Sequence, residues 1–480
     1  MPSLVSLAGK GLIGLLSTVA ASLTALAKSV ANFPKTLRWH HWGMLLLPFA
    51  FFLLALQYAK EVSYNDPTSP YFSPARGYAK IYSSVRQREA TEFIQKHNST
   101  DAAPFRRKST HVPPFICVGM NTIVRPSGDI YARYALGSML AGLTQKERNQ
   151  LYIAPMIGHV NATTHPIYTE PWLEKVSDKV MTYQTMDVVS EERLKHIEEL
   201  ELTRQRTGEP DREKHLGDYT LLLKQCDATG APYVLMLEDD ILFLDGWFHR
   251  LRQGIMDVEE QSKRDEGGWY NLRLFYLEYG FYWHLSEVIT TGVAIVAFCG
   301  VSMGLIWLSI RGTRWYRRTT RQTRRVLFLT GVLSAIACIV LYLTVGHLTV
   351  AHMLRTPSVA RRGGCCFQGI LWPHDKVEPI TEFYTKERIG FVDSLADKFI
   401  NGGGADKPMG HQWALVPTAV QHIGGKSSKG DNWGSDKPGK MSEAQRLWNF
   451  SFEWNKADKL AEEHRQAAEA FEQEKVTGDD

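Results

Sequence analysis

The chain has 480 residues, 44% hydrophobic and 22% charged, which excludes a disordered, collagen-like or small disulfide-held protein. At 54.4 kDa it exceeds one ordinary core, and a mean hydropathy of −0.23 excludes a mostly intramembrane transporter. The formal charge of +4 is too small to indicate nucleic acid as a partner, and residues 311–325 alone carry seven Arg and no acid, so the basic excess is local.

In chain order, residues 1–38 come first as a short N-terminal segment, expected on the cytosolic side. Within it, Gly11–Ala27 is apolar but short for a span, and Ala25-Leu26-Ala27 has the form of a cleavage site. An uncleaved chain is expected, because Trp39–Ala59 follows without a single Asp, Glu, Lys or Arg and is long enough to anchor it. Trp39, Trp42 and Tyr58 lie near its ends, where amphipathic rings prefer the interface. Residues 60–287 alternate strand and helix signals. Phe115–Gly119, Leu151–Met156 and Tyr233–Leu237 read as buried strands; Ile130–Leu143, Pro171–Lys179, Glu191–Thr207 and Tyr219–Cys226 read as helices. Two further uncharged stretches follow, Val288–Ile310 and Val326–Leu354, with the apolar part of the latter closer to Val326–Val345. Residues 355–440 bring a short segment at Gly369–Trp372, a helix around Gly390–Phe399 and a Gly/Ser/Lys-rich loop at Gly424–Gly430. Residues 441–480 form a charged tail, read as an exposed helix over Ser442–Lys475.

The Arg block sets the orientation. A short, wholly basic loop is cytosolic by the positive-inside rule, and Lys28, Lys35 and Arg38 place the start of the first span on the same side. Residues 60–287 and 355–480 then share the non-cytosolic side. The sequons at Asn98, Asn161 and Asn449 all fall there, as glycan acceptors must. So do Cys117, Cys226, Cys365 and Cys366, where disulfides persist; their connectivity stays open, although adjacent cysteines rarely pair. Cys299 and Cys338 lie inside spans. The expected architecture is α/β: a mainly parallel sheet with helices on both faces, interrupted by a transmembrane helical hairpin and preceded by a transmembrane helix. Ligands in such sheets bind at the carboxyl ends of the strands.

Glu238-Asp239-Asp240 follows directly on the apolar strand Tyr233–Leu237. Three carboxylates at one strand end repel one another, and a hard divalent cation is the usual compensation. Such a cation neutralises a leaving diphosphate. A carboxylate-bound metal often also takes a neutral His. His422 stands out among 16 His because it ends an apolar stretch and precedes Gly424-Gly425, where backbone can approach a phosphate, with Lys426 and Lys429 beyond.

Four segments occur in order: FICVGMNTIVR (Phe115–Arg125), LMLEDDILF (Leu235–Phe243), WYNLRLF (Trp269–Phe275) and VQHIGGKSS (Val420–Ser428). Together they resemble the A-type glycosyltransferase fold (GT-A), and in particular the N-glycan-branching N-acetylglucosaminyltransferases of the fourth type. An anchor followed by a hairpin inside the catalytic domain is similar to the Golgi GPI N-acetylgalactosaminyltransferases of the post-GPI-attachment class. The likeness covers about Pro113–Trp283 and Arg361–Trp433.

This resemblance implies a Golgi membrane enzyme with a lumenal catalytic domain, moving GalNAc from UDP-GalNAc to the mannose of a GPI anchor. The acceptors would be GPI-anchored proteins at the lipid bilayer. It implies that Gly119, Asn121, Thr122 and Arg125 face the uridine and diphosphate, and that Glu238 and Asp239 bind the donor. Asp240, with Glu238 and His422, would hold Mn²⁺ or Mg²⁺. It places the catalytic base of an inverting transfer at Asp393, in Arg388-Ile-Gly-Phe-Val-Asp393-Ser-Leu-Ala-Asp397. Asp397, one helical turn on, is its rival, and if neither is the base Glu278 or Asp375 is next to test. Gln368 and Trp372 would contact the acceptor. Transfer of another sugar, galactose or GlcNAc, and a non-catalytic GPI-binding escort are the alternatives. A transporter is disfavoured because the spans contain no acid or Lys.

Overall fold

The computed structural model describes residues 38–108, 112–125, 128–186, 189–208, 211–278, 283–354, 358–364, 366–401, 409–425 and 442–473. Residues 1–37, Cys365, Lys426 and Lys429 lie outside the described residues. The chain divides into two units, one formed by residues 1–63 and 283–345 and the other by residues 64–282 and 346–480.

Among the described residues, the first unit contains three helices long and apolar enough to cross a membrane: Trp39–Val62, Leu285–Arg311 and Arg321–Val345. Their side chains are largely exposed, with Phe51, Leu54, Val293, Phe298 and Phe328 presenting bare apolar surface. In water this would be costly, and in lipid it is the favourable state. Polar contacts join the helices where they meet. His41 Nε2 lies 2.9 Å from Thr323 Oγ1, and Thr291 Oγ1 lies 3.2 Å from Tyr342 Oη. The third span is shorter than Val326–Leu354. Its helix stops at Val345, because Gly346 adopts φ +96°, and His347–Leu354 forms a separate helix in the other unit.

The second unit is built on a seven-stranded sheet. Its strands are β1 (Ile116–Thr122), β2 (Leu151–Ile157), β3 (Tyr233–Leu237), β5 (Trp269–Arg273), β6 (Ser358–Arg361), β7 (Gly369–Pro373) and β8 (His411–Val416). The order is β2-β1-β3-β7-β5-β8-β6, and only β7 and β6 run against the rest. The sheet thus inserts β7, from after the membrane hairpin, between β3 and β5, from before it. Neither segment alone can complete the sheet.

Alternation along the strands fills two cores. Ile116, Val118, Met120, Leu235 and Leu237 pack on one face with Leu136, Met139, Trp247 and Leu251. Cys117, Val234, Met236, Ile370 and Trp372 pack on the other with Leu222, Leu223, Ile380 and Phe399. A disulfide joins Cys117 of β1 to Cys226 of the helix Arg212–Asp227, with Cα atoms 5.4 Å apart. Cys366 is also disulfide-bonded. The tail is not the exposed helix expected from its charges. Ala457–Gln473 is helical, but Leu460, His464, Ala468 and Phe471 are buried, a stripe at three- and four-residue spacing that docks it on the unit.

Candidate functional site

The carboxyl end of β3 leads straight into Glu238-Asp239-Asp240. The chain then enters β4 (Ile241–Phe243), which pairs antiparallel with β9 (Val420–His422). This two-stranded ribbon sets Ile241 opposite His422, and Ile423 N donates to Asp240 O at 2.8 Å. The register therefore brings together two residues far apart in sequence: His422 Nε2 lies 3.3 Å from Asp240 Oδ2. Gly424 permits this approach. A Cβ there would fall 2.3 Å from Asp240 Oδ2 and 2.8 Å from His422 Nε2.

Asp239 and Asp240 are both buried, and the counter-charge is built into the chain. Arg125 NH2 donates to Asp239 Oδ1 at 2.7 Å and to Asp240 Oδ2 at 3.0 Å. Thr122 Oγ1, at the end of β1, donates to Asp239 Oδ2 at 2.6 Å. Arg125 also stacks over Tyr131, 4.5 Å from the ring centre. Burial pushes the Asp239 carboxyl up against the pull of Arg125. For Asp240 burial also pushes up, but the neighbouring His422 and Arg125 outweigh it and hold the carboxyl well below the usual range. His422 is correspondingly raised, Asp240 overcoming the effect of burial. Asp240 Oδ1 and Arg125 Nε and NH1 are buried without hydrogen-bond partners. Unpaired buried polar atoms are costly, and here they converge on one place.

Beside the acids, Gln368 Nε2 donates to Glu238 Oε2 at 3.3 Å, and Glu238 N to Gln368 O at 3.1 Å. Gln368 is buried and turned to Glu238, so it supports that acid and offers an acceptor no surface. Three residues before β7, Cys366 N donates to Asp393 Oδ2 at 2.9 Å. Asp393 lies in the first turn of the helix Val392–Asn401, is partly exposed, and is thereby tied to the same sheet edge. Asp397 Oδ1 instead accepts from Gln412 Nε2 at 2.9 Å. Both acids act on the buried Arg273 at the end of β5, whose guanidinium burial depresses to about 10.

Several expected roles do not fit. Gly119 is inside β1, and a Cβ there would meet Met236 Sδ at 2.9 Å and Leu222 Cγ at 3.0 Å; it is a packing position. Asn121 faces helix Arg212–Asp227, donating to Asp218 Oδ2 at 3.2 Å, with its Oδ1 buried and unpaired. Trp372 is fully buried, its indole N–H bonded to Tyr219 Oη at 2.9 Å, and cannot touch an acceptor. Glu278 is fully buried and held by Ser451 N at 2.9 Å, out of reach of a substrate hydroxyl. Asp375 follows β7, whose last residue pairs with the first of β3, so it lies at the opposite edge of the sheet. Asn449 is completely buried and its backbone N donates to Gln421 Oε1 at 3.0 Å, which leaves a glycan no room; Asn98 and Asn161 are exposed. The sequence reading missed Arg273 and the role of Arg125 as internal counter-ion. Only the acids themselves signalled that a cation was required.

A mainly parallel sheet gathering acids, an imidazole and a buried Arg at its carboxyl edge, in a chain with three membrane-length helices, has the layout of a membrane-bound glycosyltransferase. Family comparison makes this specific. The chain belongs to the GPI-N-acetylgalactosamine transferase PGAP4 family, whose model matches residues 139–407, more than half of its length. No curated protein matches it.

Proposed function

We propose that the enzyme transfers GalNAc from UDP-GalNAc to the mannose of a GPI anchor with inversion, in the Golgi membrane with its catalytic unit lumenal. The observation that carries the reading is the cluster Arg125, Asp239, Asp240 and His422 at the carboxyl end of β3, where Asp240 Oδ1 is buried without a partner. A lone carboxylate oxygen beside an imidazole nitrogen is a donor set suited to Mn²⁺ or Mg²⁺. Asp240 and His422 would hold the ion, with Glu238 at its edge. When bound, such an ion neutralises charge on the leaving diphosphate.

The chain's own groups do the rest. Arg125 is fixed by Asp239 and by the Tyr131 ring, and its unpaired Nε and NH1 supply donors for phosphate oxygens. Asp393 takes the proton from the mannose hydroxyl as that oxygen bonds to C1 of the sugar. The bond from C1 to the diphosphate oxygen breaks on the opposite face, and UDP leaves with the electron pair. Cys366 N holds one oxygen of Asp393 and Ser394 N, at 2.7 Å, holds the other, fixing the carboxylate plane.

The test is transfer from UDP-GalNAc to a GPI glycan acceptor. Asp393→Asn should cost about 10²–10⁴-fold in rate with UDP-GalNAc affinity little changed. Asp397→Asn should be nearly silent. A dead Asp397→Asn beside an active Asp393→Asn assigns the base wrongly. Full activity in EDTA removes the metal, and turnover of UDP-galactose instead replaces the donor.

A further inference from the structure

A second cluster of ligand-bearing side chains lies outside this site. Glu147, in the short helix Gln145–Asn149, is fully buried. Its Oε1 lies 2.8 Å from His464 Nε2 and 2.6 Å from His249 Nε2. All three ligand atoms fall within 4.8 Å of one another. The residues come from three separate helices, Gln145–Asn149, Trp247–Ser262 and Ala457–Gln473.

Two details separate this arrangement from an ordinary ion pair. His249 Nε2 is buried and, despite its closeness to Glu147, has no hydrogen-bond partner, because the contact lies off the line a hydrogen bond needs. The second detail is the support behind the donors. Asp245 Oδ1 lies 2.6 Å from His464 Nδ1, and Thr144 N donates to Glu147 Oε2 at 2.6 Å. A carboxylate on the far nitrogen of a ligating imidazole fixes its tautomer and ring plane, as metal ligands require.

We propose that Glu147, His249 and His464 form a zinc site that staples the C-terminal helix to the catalytic unit. Two imidazoles and one carboxylate are a zinc donor set, with a fourth position for water. Tetrahedral zinc, with bonds of about 2.0–2.1 Å, spaces its ligands by roughly 3.3 Å. The two contacts to Glu147 Oε1 need to lengthen by less than about 1 Å to reach that spacing. His249 also lines a cavity of about 270 Å³ with Arg250, Asp257 and Glu463. On binding, His464 gives up the proton on Nε2 to solvent and keeps the one on Nδ1 for Asp245. The ion then ties together residues 317 positions apart. The role is structural and separate from the Asp240–His422 pair.

The experiment uses the full-length chain, tag removed, incubated with Zn²⁺ in detergent and dialysed. Elemental analysis should find one zinc per chain, and cobalt substitution should give the visible band of a four-coordinate site. His249→Ala leaves the Glu147–His464 contact in place and should lose the metal. Asp240→Asn should keep it. Wild type should melt higher with zinc than after chelation, while His249→Ala should melt at one temperature in both. A zinc-free wild type, retention by His249→Ala, or loss in Asp240→Asn alone overturns the proposal. Should His249→Ala not fold, the cobalt spectrum of the wild type decides: no four-coordinate band means no site.

Discussion

Arg125 changes the meaning of the acidic triplet. From the sequence, three adjacent carboxylates require a cation from outside, and removing one should relieve repulsion. In the folded chain Asp240 is instead a partner of Arg125 and His422. Deleting a member of a buried charge set typically costs about 3–5 kcal/mol, because the others are left uncompensated. Asp240→Ala is therefore expected to lower the urea midpoint as well as transfer. Asp240→Asn keeps the shape, and should lose transfer by about 100-fold or more at a smaller cost in stability. Urea titration and a transfer assay on both variants separate the two effects. Glu278 gives a residue-scale expectation about pH. Burial raises its carboxyl from 4.5 to about 7, against the opposing pull of the Ser451 donors. The folded state therefore binds this proton more tightly than the unfolded chain. Its contribution is complete below about pH 4.5 and is lost as pH rises through 7, on the order of 3 kcal/mol. Glu278→Gln should match wild-type stability near pH 4.5 and exceed it at pH 8. Melting curves across that range test the sign. A wild type that gains stability over Glu278→Gln as pH rises would refute it.

Among the elements, those that carry their own signal were legible. Tyr233–Leu237 and Glu191–Thr207 have in the structure the limits the sequence suggests, since an apolar run between Gly-Ala-Pro and three acids, and a polar helix capped by Ser190 and Gly208, are local features. The ribbon of β4 and β9 was not legible. Three-residue strands have too little pattern, and their pairing joins segments 177 or more positions apart that only folding brings together. The same reason hid the docked face of Ala457–Gln473, whose Lys, Glu and Arg outnumber its buried stripe. It also hid the burial of Asn449, since a sequon says nothing of its surroundings. The disulfide is an element-scale device of another kind. Cys117 and Cys226 close a separation of 109 residues and clamp β1 to the helix Arg212–Asp227. Constraining so long a loop in the unfolded chain is worth about 2–5 kcal/mol. Cys117→Ala with Cys226→Ala should lower stability by that amount while leaving the acid cluster intact. Guanidinium titration of the double variant against wild type measures it, and equal midpoints would contradict it.

At the scale of the whole molecule, the sheet itself constrains topology. β5 precedes the membrane hairpin and β7 follows it, yet both belong to one sheet with β7 paired to β3 and β5. The chain must therefore reach the same side of the bilayer before and after the hairpin, which an even number of crossings achieves. The helices Leu285–Arg311 and Arg321–Val345 provide two. The turn between them is then expected on the other side, which the positive-inside rule predicts to be cytosolic from its basic charge. Glycans report the result directly. Asn98 and Asn161 are exposed on the unit that contains the sheet, and Asn449 is not. Glycosidase treatment of the expressed protein should thus remove two glycans. Asn98→Gln and Asn161→Gln should each remove one step of mobility, and Asn449→Gln should remove none. A sequon placed at Thr319–Arg321 should stay unmodified, and protease added to sealed microsomes should cut within residues 311–325. A glycan on that loop would invert the orientation, and a third step lost with Asn449→Gln would mean that Asn449 is modified before the chain folds around it.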